Sequence, residues 1–294
     1  MSSALDGEPV PPDLFASRRQ RLLAGRGGLA ASAVSGVVVI GGLAAVFWLA
    51  PGGATMRYFF FNPPLMWQSF IGDPAKGFYS VGLGLLTNLW IFAVAEALVL
   101  VCGMLLASAR LSQSPVLFPF RLLATAYTDV FRGIPILLVI FIIGFGLPEL
   151  NLGTISSQSP AVYGCAALVI SYSAYVAEVY RAGVLSIPHG QLLASRSLGL
   201  THATTMRRVI LPQAVRTVIP PLLNDLISLQ KDTALVSVLG AIETTRAAQI
   251  YGSTVFNFSG YTVAALLFLI LTVPMTRFTD HLIARDRARR LAGA

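Results

Sequence analysis

Charge is scarce in this chain. Asp, Glu, Lys and Arg make up 12% of its 294 residues, about half of the roughly 25% usual in a soluble domain. With 55% hydrophobic residues and a mean hydropathy of +0.72, that shortage excludes a soluble globular protein and identifies an integral membrane protein. Cysteine is nearly absent. Cys102 and Cys165 both fall in apolar segments, which gives no support to a disulfide framework or a zinc site. Of the three histidines, His189 and His202 share a polar loop without a Cys, Asp or Glu cluster, and His281 stands alone; all three read as solvated residues rather than metal ligands. No Gly-x-x-x-x-Gly-Lys-Ser/Thr segment occurs, so the chain cannot cradle nucleotide phosphates in the P-loop manner, and energy must come from another polypeptide. A nucleophile elbow, paired soluble carboxylates and a recognisable triad are missing too, so catalysis by this chain is not expected.

What is present is a series of apolar runs. Residues 1–28 are Pro-rich, then Arg-rich, and read as a cytoplasmic tail. The run 29–50 carries no charge and is long enough to cross about 30 Å of hydrocarbon at about 1.5 Å per residue, so it reads as a retained helix rather than a signal peptide. Gly36, Gly41 and Gly42 suit close helix packing there, a weak signal because Gly is common in such helices. Residues 51–80, with Tyr58, Phe59, Phe60, Phe61 and Trp67, form an external connection suited to the membrane interface. Further spans are expected from about 81 to 109, 134 to 147, 161 to 185, 218 to 241 and 258 to 276. An amphipathic stretch at 120–132 precedes the second of these, and a tail follows at 283–294. Six spans put both termini on one side. Among the 21 Lys and Arg residues, only Arg57, Lys76 and Arg246 then lie outside, and this asymmetry places both termini and the 187–212 loop in the cytoplasm. Because the basic residues collect at segment ends and short loops, the net charge of +8 points to membrane topology and not to nucleic acid.

The segment 218–241 is the least lipid-like. Asn224, Asp225, Ser228, Lys231 and Asp232 fall within about 120° on a helical wheel, one polar stripe turned away from lipid. Each ionised group would cost about 2.5–3.5 kcal/mol at a bilayer centre, so the stripe faces either a translocation pathway or a subunit seam. Pro220-Pro221 is expected to break or kink the helix, as in the discontinuous helices that surround substrate sites. Arg132 and Glu178 occupy matching depths, and Glu178 is expected to pair with Arg132 or with nearby Arg181, as a structural ion pair or a gate. Glu96 has no partner evident in sequence; it is either protonated or turned toward a dimer cavity.

The loop after residue 185 has its own grammar. Pro188 can open a short helix, Gly199 stands where a left-handed cap would end it, and Thr201 can cap a second helix bearing Met206, Val209 and Ile210 on one face and ending at Pro212. The result is a compact knob. Gly190, Gln191, Ala194, Leu198, Gly199, Leu211 and Pro212, with Val209 for Ile, resemble the "EAA" loop of the membrane subunits of bacterial ATP-binding-cassette (ABC) importers, most closely the polar amino-acid permeases. Leu193 stands in place of that family's Glu and Ser195 in place of its second Ala, which makes the first turn less anionic. Three further motifs extend the likeness over roughly residues 80–282: Phe131-Arg132-Gly133-Ile134-Pro135, Ala174-Tyr175-Val176-Ala177-Glu178 with Arg181-Ala182, and Lys231-Asp232-Thr233-Ala234-Leu235-Val236.

The resemblance implies an all-helical type I importer transmembrane domain over 81–282, with one extra amino-terminal span at 29–50. It also implies a second permease subunit, two ABC ATPase subunits that bind the ATP, and an external amino-acid-binding protein, with no cofactor on this chain. In that reading the 187–212 loop docks on an ATPase, and Asn224, Asp225, Ser228, Lys231 and Asp232 line the pathway. The rival readings are an ion-gradient-driven secondary transporter or channel, and a non-transporting scaffold in which the stripe only packs.

Overall fold

The computed structural model describes residues 26–292, and side chains from 32 to 285. The amino-terminal tail expected over 1–28 therefore lies almost wholly outside the described residues. Two units are distinguished, residues 1–59 and 60–294. In the first, α1 (Arg26–Leu49) exposes Val37, Ile40 and Leu43 alike, which suits a helix surrounded by hydrocarbon rather than one with a single buried face. Its last turn is closed by Arg57, whose guanidinium donates to the Phe47 carbonyl at 2.7 Å and lies 4.3 Å over the Trp48 ring. Basic groups at a helix carboxyl end satisfy otherwise unpaired carbonyls.

The second unit is helical, and α2 (Gly53–Phe60) leads into it. α3 (Pro63–Ile71) is followed by α4 (Val81–Leu111), α5 (Phe118–Gly133), α6 (Ile136–Glu149) and α7 (Pro160–Leu185). Next come α8 (His189–Ser197), α9 (His202–Thr205), a π-helical turn (Met206–Ile210) and α10 (Leu211–Asp232). A 3-10 segment (Thr233–Leu239), α11 (Thr244–Val255) and α12 (Ser259–Ala292) complete it.

α7 is the central helix. In its most apolar stretch 61% of the residues are buried, against 22% in α4 and 17% in α12, so α4 and α12 turn most of their apolar surface outward, as helices facing lipid do. The core joins Ile91, Val99, Val139, Leu168, Val176 and Leu229 from α4, α6, α7 and α10. Small residues allow this close approach. A Cβ on Gly103 would lie 2.7 Å from Val176 Cγ1, and one on Gly84 would lie 2.6 Å from the Thr244 nitrogen.

Among the described residues four helices are long and apolar enough to cross a membrane, or five if α5 and α6 form one bent span. The six-segment expectation differs from this count for physical reasons. α6 is short, and the Pro115–Gly133 helical stretch meets it at 108°, because Pro135 cannot donate a helical hydrogen bond and drives Ile134 into an extended conformation (ψ 131°). The segment expected from 218 to 241 is too polar to qualify, and its α-helix ends at Asp232. The expected break at Pro220-Pro221 is absent: α10 runs through both prolines, and the change of pitch comes instead at Thr233. The expected carboxyl-terminal tail at 283–294 is helical as far as residue 292, as a continuation of α12.

Candidate functional site

The 187–212 loop is built by its caps. Pro188 precedes α8, and Gly199 ends it with φ +74°. Leu200 N–H donates to the Ser195 carbonyl at 3.1 Å and Gly199 N–H to that of Arg196 at 2.9 Å, the paired bonds of a Schellman cap. Thr201 Oγ1 accepts from Thr204 N–H at 3.3 Å and opens α9. Ser195 is buried, its hydroxyl donating to the Gln191 carbonyl at 2.7 Å. Leu193 is 57% exposed and Leu198 81% exposed; Gly190, Gln191 and Ala194 are exposed too. A rigid turn therefore presents two leucines outward.

The second helix does not end at Pro212. After α9 the chain widens to π pitch at Met206–Ile210, which includes Val209, and passes directly into α10, where Leu211 and Pro212 form the first turn. A proline in the first turn costs no hydrogen bond, so it starts a helix here rather than stopping one. Between loop and bundle lies a cavity of about 910 Å³, lined by apolar groups such as Met104, Leu111, Leu192 and Met206 and by His189 and His202.

At the same end of the bundle, Glu178 gathers arginines. Arg110 Nη1 reaches its Oε2 at 2.7 Å, and Arg181 binds both carboxylate oxygens. Arg132, expected from sequence as a partner, stands off at 4.0 Å and is the most exposed of the three arginines. Of the two partners expected from sequence, Arg181 binds Glu178 directly and Arg132 stands at the edge of ion-pair distance; Arg110 joins them because the close packing of α4 on α7 brings their ends together. The sequence shows Arg110 only as a charge at the end of an apolar run.

The polar stripe of α10 is retained. Asn224 and Lys231 are exposed, Asp225, Ser228 and Asp232 are half-buried, and one Asp225 carboxylate oxygen is buried without a hydrogen-bond partner among the described residues. Asp232 accepts from the Tyr172 hydroxyl at 2.8 Å. Tyr172 escaped the sequence reading because a tyrosine in an apolar helix carries no signal of its target. Glu96 is half-buried on α4 and makes no hydrogen bond or ion pair among the described residues.

A polar knot below the 3-10 segment was not foreseen. Asn88 Nδ2 donates to Thr233 Oγ1 and to Glu243 Oε2, and its Oδ1 accepts from Thr244 N–H. Glu243, fully buried, also accepts from the Thr245 and Arg246 amides and so caps α11. Nearby, Gln230 Oε1 accepts from the Thr272 hydroxyl at 2.8 Å. These bonds pin the point where α10 changes pitch against α4, α11 and α12. Among the described residues no group of His, Cys, Asp and Glu is placed to hold a metal ion.

Comparison with known proteins agrees with this architecture. Residues 99–287 match the family described as "Binding-protein-dependent transport system inner membrane component". The probable glutamine ABC transporter permease protein GlnM of Bacillus subtilis (strain 168) is 37% identical over 196 residues, 66% of this chain and 87% of that protein. The arginine transport system permease protein ArtQ of the same organism is 35% identical over 194 residues, 66% of this chain and 86% of its own length. Among solved structures, an amino acid ABC transporter crystallised with histidines superposes with a TM-score of 0.64 at 33% identity, covering 70% of this chain and 93% of that one. The fold, the cap-built loop and these matches together make the chain a multi-pass membrane protein that belongs to the inner membrane components of binding-protein-dependent transport systems.

Proposed function

We propose that this chain is the permease subunit of an ATP-driven amino-acid importer in the bacterial inner membrane, with both termini in the cytoplasm. It forms the translocation pathway with a second permease subunit, identical or related. Two ATPase subunits bind and hydrolyse the ATP, and an external amino-acid-binding protein delivers the substrate; this chain takes no cofactor and is itself non-catalytic. The observation that carries the reading is the exposed, cap-locked turn at Leu193–Gly199, a rigid apolar knob fit to seat in a groove of another subunit. Its direct junction with α10 lets a displacement of the knob reach the stripe from Asn224 to Asp232. Support for an amino-acid substrate comes from the relatives named for glutamine and arginine.

The test is uptake into vesicles holding the whole complex, with the external receptor outside and ATP inside. Amino-acid uptake is expected to need ATP and to disappear in Leu198→Glu, while the permease remains in the membrane. Uptake that survives ATP depletion, or purification without an ATPase, overturns the proposal in favour of gradient-driven transport.

A further inference from the structure

The arginines around Glu178 do more than neutralise it. A second cavity, of about 290 Å³, is lined by Arg110, Phe118, Arg121, Leu122, Thr125 and Arg181. Three arginines therefore line one concavity, and the carboxylate that binds two of them is Glu178. Arg121 makes no ion pair among the described residues. It donates to the Ser112 carbonyl at 3.1 Å and lies 5.3 Å over the Phe118 ring. One carboxylate against three arginines leaves a local excess of positive charge.

The surroundings say what kind of anion fits. The helical stretch that includes α5 meets α6 at 108°, so with the apolar α6 entering the membrane along its normal α5 runs close to the membrane plane. Arg110 and Arg181 lie near the ends of α4 and α7, on the face that carries the 187–212 loop. The lining residues Phe118 and Leu122 and the adjacent Leu117, Phe120 and Leu123 are all exposed. The site is thus cationic within and apolar at its rim, at the level where headgroup meets acyl chain.

The geometry points to a binding site for an anionic phospholipid, its phosphodiester on Arg110, Arg121 and Arg181 and its acyl chains over Phe118 and Leu122. Guanidinium groups match phosphate oxygens in planar, paired hydrogen bonds. Free phosphate would satisfy the cations but leave the apolar rim bare. The inference rests on the proposed membrane placement of this face and not on ATP coupling.

Native mass spectrometry of the intact transporter, exchanged from vesicles of phosphatidylcholine with or without phosphatidylglycerol, is the test. Phosphatidylglycerol is expected to be retained about thirtyfold over phosphatidylcholine, the preference two surplus surface charges give, and Arg121→Gln to lower that about fivefold. Equal retention of the two lipids, or no change in Arg121→Gln, overturns the site. So does loss of the retained lipid on adding inorganic phosphate, which would mark a free-anion site. Should Arg121→Gln fold poorly, a photoreactive phosphatidylglycerol on the unmodified complex decides: labelling within residues 110–125 supports the site, and labelling only elsewhere overturns it. None of these readouts uses transport, so a failure of the importer reading would show separately, as uptake that survives ATP depletion.

Discussion

Asn88 and Glu243 stand 155 positions apart in the chain and share a hydrogen bond of 2.9 Å from Nδ2 to Oε2. With both groups fully buried, loss of the amide leaves a carboxylate oxygen without that donor and exposes no surface to water that would replace it. Asn88→Ala is expected to destabilise the folded protein by about 1–3 kcal/mol, read as a lower thermal midpoint in detergent. Asn88→Asp should do worse, since it sets a second carboxylate against the first. An unchanged midpoint in both would mean that the knot holds nothing together.

Glu178→Gln removes the one carboxylate shared by Arg110 and Arg181. Arg110 is only 10% exposed, so it cannot recover full hydration. A fully buried pair broken in this way costs about 3–5 kcal/mol. Partial exposure of Glu178 and Arg181 reduces the expected loss to about 1–3 kcal/mol. Arg132→Gln, by contrast, should change stability by less than about 1 kcal/mol. Thermal unfolding of the two variants side by side distinguishes them, and equal losses would contradict the arrangement.

Gly199→Val forces a β-branched residue into a φ of +74°, at a cost of about 1–2 kcal/mol, and deforms the turn that presents Leu198. The variant is expected in the membrane at near-normal levels but without its ATPase partner on purification. Leu198→Glu should have the same effect with no backbone strain. Retention of the ATPase by both variants would remove the loop from the docking surface.

Lys231→Ala is expected to bring uptake per folded protein close to background, with little change in membrane level, because the ammonium is exposed on the stripe and holds no core together. Tyr172→Phe, which takes away the donor to Asp232, should lower uptake less and stability by about 1 kcal/mol. Uptake per folded protein unaffected by Lys231→Ala would favour a stripe that serves packing alone.

The parts legible in sequence were those governed by local chemistry. Gly199 and Thr201 mark their turns because a left-handed cap and a side-chain acceptor are chosen by the nearest few residues. The stripe from Asn224 to Asp232 was visible because helical spacing fixes which side chains share a face. Long-range partners were not visible: Arg110 is 68 positions from Glu178, and nothing near either residue specifies the other. At Pro220-Pro221, where a break or a kink was expected, α10 continues without a break. A proline removes one local hydrogen bond, and packing of Val218, Ile227 and Leu229 into the bundle outweighs that loss along α10. The shift to 3-10 pitch at Thr233 depends on Asn88 and Glu243, which only the assembled fold brings to it.

The π-helical turn has a mechanical consequence. Since Met206–Ile210 joins α9 to α10 with no non-helical residue between, the chain from His202 to Asp232 is one continuous helical stretch, about 45 Å along its axis at about 1.5 Å per residue. In the proposed importer, a displacement of the loop at one end of this stretch is carried along the helix toward Lys231 and Asp232 at the other.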